Sequence, residues 1–275
     1  MKADAFRYDG KRAVVVGGAT GMGAATAALV QDLGAEVVVM DHAEVTLSGV
    51  EAIPVDLSDR ASIDRAVAEC GGPIHALFMC AGVADGTPGI ERVNFIGHRH
   101  LIDRALEADL LPRGSAIGFI SSTAGLAWEA NWDLVEEYLS TPDWDAAMAW
   151  IEAHPGQADY MWSKQAVCGY VAREAVRMLA RGIRLNATLP GPTVTPLAQA
   201  NAELWLEFGS DYRAETGIEA STAGEQAGPL AFLCSDAAAY VNGVTLISDA
   251  GYVSSGVTSS FPPAKGVVDF LSGKL

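Results

Sequence analysis

The sequence predicts an α/β fold, a doubly wound and mainly parallel sheet of seven strands with helices on both faces. Short apolar runs typical of buried strands alternate with segments of helical period along the whole chain. The first such unit, residues 11–41, runs from a strand through a glycine-rich turn and a helix into a second strand. No linker, repeat or low-complexity block interrupts the 275 residues, so we expect residues 1–275 to form one nucleotide-binding domain.

The turn after the first strand is the strongest indication of function. It contains Gly17, Thr20, Gly21, Met22 and Gly23 in a GxxxGxG spacing, directly before an alanine-rich helix. Glycines let the backbone approach a pyrophosphate closely, and the helix N-terminus offers unpaired N–H groups to the anion. The arrangement predicts a nucleotide site, although the glycines alone would also suit a plain loop between a strand and a helix.

Asp41 stands at the carboxyl end of the second predicted strand. There it is expected to accept hydrogen bonds from the adenosine ribose hydroxyls and to repel a 2′-phosphate, which favours NAD over NADP as the cofactor. An ordinary residue of a strand-end turn is the alternative, because aspartate is common in turns.

Composition and charge narrow the range of partners. The chain has 18 basic and 34 acidic residues and a net charge of −16, which opposes binding to nucleic acid or to an anionic membrane and favours a small or neutral substrate. No apolar run approaches the roughly 18 residues of a membrane span, and the charged N-terminal segment lacks the apolar core of a signal peptide, so we expect a cytoplasmic protein. The widely spaced cysteines predict buried thiols and no metal site: Cys70, Cys80, Cys168 and Cys234.

The remaining strands and helices follow from hydrophobic period and turn residues. Strands are predicted at residues 49–55, 75–80, 116–120, 183–188 and 244–248, and helices at residues 58–69, 90–108, 159–181 and 225–234. Asp56 and Leu57 follow the third strand, where Asp56 is placed to hold an adenine amino group. The competing interpretation is that Asp56 and Asp59 cap and charge the next helix, for which Ser58 is the predicted N-cap.

Two histidines lie close together in the predicted helix 90–108. His98 and His100 are two residues apart and therefore point to different faces of that helix. This spacing favours solvated or partly packed side chains over a pair of metal ligands.

Three further residues carry functional groups suited to chemistry. Ser122 follows the fifth predicted strand, at the sheet edge where open α/β sheets bind their ligands. Tyr160 and Lys164 are four residues apart and share one face of the helix that follows. A turn serine and a surface lysine are the ordinary interpretations of these residues.

Together, these residues resemble a short-chain dehydrogenase/reductase. The resemblance covers almost the whole chain and implies a Rossmann-like fold. Within the family, the chain is most similar to the branch of bacterial 3α-hydroxysteroid dehydrogenase/carbonyl reductase. Cys80 stands where the family commonly has asparagine. The matching motifs, in order, are GGATGMG, CAG, Asn94 within VNFIG, Ser122 within SSTAG, YxxxK at Tyr160 and Lys164, and PGPTVTP.

The resemblance implies a role for each of these residues. Tyr160 would be the general base in alcohol oxidation and the general acid in ketone reduction, with its pKa lowered from about 10 by Lys164 and by the oxidised nicotinamide. Ser122 would bind the substrate oxygen, Lys164 would also hold the nicotinamide ribose, and Asn94 would anchor a proton-relay water. The remaining implied cofactor contacts are Cys80, Ala81, Gly82, Pro190, Gly191, Thr193 and Thr195.

The implied function is the NAD-dependent interconversion of an apolar secondary alcohol, such as a steroid or terpenoid, and its ketone. Two alternatives are reduction of a 3-oxoacyl thioester on a carrier protein and nucleotide sensing without catalysis. A carrier reductase would need a basic docking patch, for which Arg173, Arg177 and Arg181 are available, but the charge of −16 opposes an acidic carrier. The segment at residues 196–222 is expected to cover the substrate and has no diagnostic motif.

An insertion separates the serine strand from the tyrosine helix, at about residues 127–157. Residues 134–139 and 144–153 have helical period, with Thr141 or Asp143 as the cap of the second piece, so two short helices are predicted. Because its ends adjoin Ser122 and Tyr160, we expect it close to the substrate. Its four tryptophans should pack on the domain, on substrate or on a second subunit, and by resemblance we expect a homodimer or homotetramer.

Overall fold

The structure is a computed structural model that describes residues 3–274. The strands are β1 Arg12–Val16, β2 Glu36–Asp41, β3 Glu51–Pro54, β4 Ala76–Met79, β5 Ala116–Ile120, β6 Arg184–Pro190, β7 Thr193–Val194, β8 Ser221–Thr222 and β9 Thr245–Ser248. Seven of them form a central parallel sheet in the order β3-β2-β1-β4-β5-β6-β9, which confirms the predicted fold class. A small separate sheet pairs β7 with β8.

Helices cover both faces of the large sheet. They are α1 Gly21–Asp32, α2 Arg60–Cys70, α3 Gly97–Glu107, α4 Trp132–Leu139, α5 Trp144–Ala153, α6 Tyr160–Ala180, α7 Pro196–Gln199, α8 Ala202–Trp205, α9 Ser210–Thr216, α10 Ala223–Cys234, α11 Tyr252–Thr258 and α12 Ala264–Leu271. The side chains of the strands alternate between the two cores. Val14 and Val16 pack with α2, α3 and α6, whereas Ala13 and Val15 pack with α1 and α10.

The strand order reverses beside β1. After β1 the chain builds β2 and β3 on one side, then crosses to the other side to build β4 and the later strands. The connections leaving β1 and β4 therefore diverge and open a crevice at the carboxyl ends of the strands, which is where open α/β sheets bind ligands. The glycine turn predicted to bind a nucleotide lies at this point.

Two local predictions need correction. The N-cap of α2 is Asp59, whose Oδ1 accepts a hydrogen bond from the Ala61 N–H at 3.0 Å, and not Ser58. His98 is neither solvated nor partly packed, because only 2% of it is exposed. His100 pairs with the Asp64 carboxylate at 2.9 Å, and no group of residues suited to hold a metal ion occurs in residues 3–274.

The insertion forms the two predicted short helices, α4 and α5, and Asp143 caps the second through the Ala146 N–H. Trp150 is the best-buried insertion tryptophan, stacked on Trp162 of α6 at 5.5 Å between ring centroids. Packing on the domain is therefore confirmed for Trp150. None of residues 127–157 lines the cavity beside Ser122, and the expected closeness of the insertion to the substrate stays a prediction. The chain leaves that cavity after Ala124 and returns at Tyr160. The expected assembly stays a prediction.

The segment at residues 196–222 contains α7, α8 and α9, and β7 and β8 pair across it. The chain then ends in α11 and α12, which pack on each other beside this segment. No helix within residues 3–274 is long and apolar enough to cross a membrane. The four cysteines are free thiols, three of them buried, as the spacing predicts.

Candidate active site

The glycine turn between β1 and α1 forms a cradle of backbone. Gly17 has φ +82°, and a Cβ at this position would lie 2.4 Å from the Ala81 Cα. A Cβ on Gly23 would lie 2.0 Å from the Gly17 carbonyl oxygen. Thr20 is the N-cap of α1, and its side chain makes no capping hydrogen bond. The first-turn N–H groups of α1 are thus left to a ligand, and this cradle fits the pyrophosphate of a dinucleotide.

Asp41 lies on the wall of the groove beside this cradle. Its Oδ2 accepts a hydrogen bond from the Ala19 N–H at 2.9 Å, and its Oδ1 accepts one from the Ala43 N–H at 2.9 Å. The carboxylate therefore ties the glycine turn to the loop after β2. This structural use of Asp41 is additional to the ribose contact that the sequence predicts.

Asp56 and Leu57 line the same groove one strand further along the sheet. The Asp56 carboxylate accepts hydrogen bonds from the Ser58 Oγ at 2.7 Å and the Ser58 N–H at 2.8 Å, and these bonds lower its pKa. Asp56 therefore lines the groove and also closes the turn before α2 by its bonds to Ser58, while Asp59 caps that helix. The contact of Asp56 with an adenine amino group stays a prediction.

The groove leads directly into a second cavity of about 280 Å³. Met22 and Thr195 belong to the walls of both, so a ligand can extend from one into the other. Of the predicted cofactor residues, the groove is lined by Gly17, Thr20, Gly21, Met22, Gly23, Asp41, Asp56, Leu57, Cys80, Ala81, Gly82 and Thr195. The cavity is lined by Met22, Tyr160, Pro190, Gly191, Thr193 and Thr195.

Ser122 and Tyr160 face this cavity from two different elements. Tyr160 is the first residue of α6, whose N-cap is Asp159. One turn later, Lys164 is 4% exposed and donates a hydrogen bond to the Ile120 carbonyl at 3.1 Å. Its Nζ lies 5.3 Å from the centroid of the Tyr160 ring. The predicted serine, tyrosine and lysine are thus brought together at the junction of the groove and the cavity.

The electrostatics of this trio differ from the prediction. Burial raises the pKa of Tyr160 to about 12, while the Ser122 hydroxyl acts in the opposite direction by hydrogen bonding. Burial likewise lowers the pKa of Lys164 to about 8. The expectation that Lys164 holds the Tyr160 pKa below its ordinary value is therefore wrong for the protein alone. Desolvation of the phenolate is the dominant effect here.

Asn94 lies in a π-helical turn, Arg92–Ile96, that leads into α3. Its Oδ1 accepts from the Val83 N–H at 2.8 Å, and its Nδ2 donates to the Val83 carbonyl at 3.0 Å and to the Ser163 Oγ at 3.2 Å. The side chain thus clamps the loop after β4 to α6. A Cβ on Gly82 would lie 3.5 Å from the Asn94 Oδ1 and 3.6 Å from the Lys164 Nζ, so Asn94 adjoins the lysine that the resemblance assigns to the ribose.

The two threonines near the cavity also hold the local backbone in place. The Thr193 hydroxyl donates to the Gly191 carbonyl at 2.9 Å and pairs with the Ser221 hydroxyl at 2.8 Å. The Thr195 Oγ1 accepts from the Ala198 N–H at 3.1 Å and caps α7. Both residues lie where the resemblance expects contacts to the nicotinamide end of the cofactor.

Several residues of the site have no signal in the sequence. Asp85 lines the cavity and accepts a hydrogen bond from the Tyr160 N–H at 2.6 Å. Trp205 packs against Tyr160, with 4.7 Å between the ring centroids. Phe208 and Leu271 complete the apolar wall from the substrate segment and from α12. These residues lie far apart in the chain, and only the tertiary fold brings them together.

His98 supports the site from behind the groove. Its Nε2 lies 3.0 Å from the Ala81 carbonyl, and because a carbonyl only accepts, this nitrogen carries the proton. Burial lowers the pKa of His98 to about 3, so the ring is neutral at physiological pH. The histidine therefore holds the backbone against which Gly17 packs.

Comparisons with known proteins agree with this geometry. A family model described as short chain dehydrogenase matches residues 11–134, and one described as Enoyl-(Acyl carrier protein) reductase matches residues 146–253. The chain is 32% identical over 253 residues to 3-alpha-hydroxysteroid dehydrogenase/carbonyl reductase of Comamonas testosteroni, which covers 86% of this chain and 95% of that protein. It is 28% identical over 251 residues to coniferyl-alcohol dehydrogenase of a Pseudomonas species, covering 89% and 97%.

A solved structure with the same fold is 3-alpha-hydroxysteroid dehydrogenase from Pseudomonas sp. B-0831 complexed with NADH. It superimposes with a TM-score of 0.71 at 27% identity, covering 91% of this chain and 99% of that one. A nucleotide groove that opens into a substrate-sized cavity is typical of nicotinamide-dependent oxidoreductases of the α/β class. Within that class, the chain belongs to the short-chain dehydrogenase family, whose members bind nicotinamide cofactors and act on alcohol and carbonyl groups.

Proposed function

We propose that this protein is an NAD(H)-dependent dehydrogenase that interconverts a small apolar secondary alcohol and its ketone, with Tyr160 as the general acid/base. The observation that carries the proposal is the meeting of Ser122 and Tyr160 in an apolar cavity that continues into the nucleotide groove. Turnover of a panel of cyclic secondary alcohols and their ketones, with NAD and NADP in parallel, tests it. Absence of turnover with every pair would overturn it.

The cavity supports an apolar substrate of modest size. Met161, Trp205, Phe208 and Leu271 line it, and its volume of about 280 Å³ is at the lower end for ligand pockets. Among the relatives, the name 3-alpha-hydroxysteroid dehydrogenase/carbonyl reductase supports a secondary alcohol on a ring, whereas coniferyl alcohol carries a primary hydroxyl on the side chain of an aromatic ring. A compact cyclic alcohol is therefore the substrate class that we propose.

Three residues of the chain have separate roles in the proposed reaction: proton transfer, binding of the substrate oxygen and binding of the cofactor. In oxidation, Tyr160 accepts the hydroxyl proton of the substrate, and in reduction it donates a proton to the carbonyl oxygen. Ser122 hydrogen-bonds the same oxygen as its charge changes. Lys164, which donates a hydrogen bond to the Ile120 carbonyl, would hold the nicotinamide ribose. When bound, the nicotinamide supplies the hydride acceptor or donor and, when oxidised, a positive charge near the tyrosine.

The raised pKa of Tyr160 predicts different pH profiles for the two directions of the reaction. Because burial raises this pKa to about 12, the phenol is protonated at neutral pH. Reduction needs the protonated form and should vary little with pH until the medium is strongly alkaline. Oxidation needs the phenolate and should accelerate as pH rises. Initial rates in both directions at constant ionic strength measure this, and an oxidation rate that falls between neutral and mildly alkaline pH would contradict it.

Asp41 is the proposed cause of a preference for NAD(H). Asp41→Asn removes the negative charge but keeps one acceptor oxygen for the backbone N–H groups. Asp41→Ala removes the charge and both acceptor oxygens. In either variant we expect the kcat/KM for NAD divided by that for NADP to fall by on the order of tenfold, because the repulsion of the 2′-phosphate of NADP is relieved.

Asp59→Asn is the matched control for this experiment. Asp59 caps α2, and asparagine is an equally good N-cap. The control loses the same charge without touching the groove wall and should keep the wild-type ratio. A wild-type protein that uses NADP more efficiently than NAD would refute the assignment.

A further inference from the structure

The last helix of the fold, α12, supplies one wall of the substrate cavity. Leu271 ends this helix, lines the cavity together with Ser122 and Tyr160, and is 7% exposed. Its side chain is aliphatic and makes no hydrogen bond, so it can act on a substrate only through packing. The position of α12 relative to Ser122 therefore determines part of the space that a substrate can occupy.

A glycine seats α12 against α11. A Cβ on Gly256 of α11 would lie 2.5 Å from the Val268 Cγ2 and 3.0 Å from the Ala264 carbonyl oxygen. Val268 and Ala264 are completely buried at this contact. Because residue 256 has no side chain, the two helices pack closely and this side of α12 is held in place.

The end of α12 rests on the insertion that separates the serine strand from the tyrosine helix. Gly273, two residues after α12, has φ +68°, and a Cβ there would lie 2.7 Å from the Ala130 Cβ and 3.4 Å from the Ala127 Cβ. The 3₁₀ turn Thr123–Trp128, which leads into the insertion, also contacts α12. Leu126 of this turn packs both on the main core and on the cluster formed by α11 and α12. The insertion thus supports α12 without lining the cavity.

The first residues of the insertion, 127–132, are themselves anchored on α6. The Asn131 Nδ2 donates to the Gln165 Oε1 at 2.7 Å, and Gln165 is 6% exposed. Trp132 packs over Gly169, where a Cβ would lie 3.7 Å from the Trp132 Cζ3. A continuous set of contacts therefore joins α6, the start of the insertion and the end of α12.

We infer that the insertion limits the size of the substrate by holding α12 in place, and that Leu271 is the residue that sets the limit. The inference rests on the proposed function and adds an upper bound to its substrate class: one compact ring is accepted, and a second ring extending toward α12 meets Leu271. Leu271 is thus a specificity-determining residue. Ala127 and Ala130 are positioning residues, because they act only through Gly273.

Two ketones test the contact of Leu271 with the substrate. 4-Phenylcyclohexanone adds a second ring to cyclohexanone, and the size ratio is the kcat/KM with NADH for the two-ring ketone divided by that for cyclohexanone. Leu271→Ala should raise the size ratio by on the order of tenfold, because an apolar pocket gains space for several carbon atoms. Leu271→Phe should lower it by a similar factor. Phe270→Ala is the matched control, since this neighbour on α12 is 55% exposed and outside the cavity wall, and it should keep the wild-type ratio.

Two further proteins test the role of the insertion. Gly273→Ala places a Cβ against the Ala130 Cβ and should push the end of α12 away from the insertion, which widens the cavity and raises the size ratio by roughly threefold or more. Adding Ala130→Gly removes the atom that this Cβ meets and should return the ratio toward the wild-type value. The strain of a side chain at the positive φ of residue 273 is the same in both proteins, so it cannot explain a difference between them. Fluorescence titration with NADH checks that each variant keeps a folded cofactor groove.

An unchanged size ratio in Leu271→Ala, or a shift in the same direction in Leu271→Ala and Leu271→Phe, would overturn the inference while leaving the proposed function intact. Equal size ratios for Gly273→Ala with and without Ala130→Gly would overturn the role of the insertion. Failure of the wild-type protein to reduce either ketone, together with no turnover of the wider alcohol panel, would overturn the proposed function and the inference with it.

Discussion

Replacing Tyr160 by phenylalanine should lower turnover by roughly 10²–10⁴-fold, the usual contribution of a general acid/base. Only the titrating oxygen is lost, and the phenyl ring still packs on Trp205. The dissociation constant for NADH should change little, because the groove is formed mainly by other residues. A lowered kcat with intact cofactor binding separates loss of chemistry from loss of folding.

The matched control for this experiment is Tyr240→Phe. Tyr240 is fully exposed at the surface, so the same atom is removed without any effect on the site. Steady-state kinetics and fluorescence titration with NADH supply the two readouts. Turnover of Tyr160→Phe close to that of the wild type would remove the proposed acid/base.

Replacing Lys164 by methionine should weaken NADH binding and also slow turnover. The ammonium is buried between the Ile120 carbonyl and Gly82, where the nicotinamide ribose is proposed to lie. Loss of a charged donor should weaken NADH binding by on the order of tenfold or more. Turnover should also fall by roughly 10²-fold or more, since the tyrosine loses its nearest positive charge.

Methionine fills the lysine stem with similar volume, so the fold should tolerate this change. Lys265→Met is the control, because Lys265 lies on the surface of α12 and pairs with Asp269. Calorimetric binding of NADH together with initial rates tests the assignment. A Lys164→Met variant that binds NADH as tightly as the wild type would contradict the ribose contact.

Much of the fold is determined by local patterns that a single sequence displays. The run at residues 13–16 is buried on both faces, which is typical of a central strand in a parallel sheet. Gly23 is required by its close approach to the Gly17 carbonyl inside one continuous stretch of chain, whereas Gly17 is required by its positive φ and by its approach to Ala81 after β4. The cofactor groove could be predicted for this reason, since most of its residues follow strands whose carboxyl ends meet at one edge of the sheet.

The substrate cavity could not be predicted in the same way. Asp85, Trp205 and Leu271 come from three separate segments and have no periodicity or spacing in common. Trp128 and Trp144 are prominent in the sequence, yet neither lines the cavity. Specificity here depends on how the substrate segment and α12 close over the sheet, which is a tertiary property.

The pKa of Tyr160 illustrates a different limit. The YxxxK spacing places a positive charge one turn from the tyrosine, which favours the phenolate. How strongly burial opposes that charge depends on groups from the whole domain. Desolvation is the largest effect at both Tyr160 and Lys164, and it acts against the charged form of each.

Transfer of deuterium from a cyclic secondary alcohol labelled at its carbinol carbon to the cofactor tests the central claim most directly. The wild-type protein and Tyr160→Phe would each be incubated with NAD and the labelled alcohol, and the reduced cofactor analysed by mass spectrometry. The account predicts one deuterium per reduced nicotinamide with the wild type and essentially no labelled product with Tyr160→Phe over the same time. Unlabelled reduced cofactor, or equal labelling by the two proteins, would contradict it.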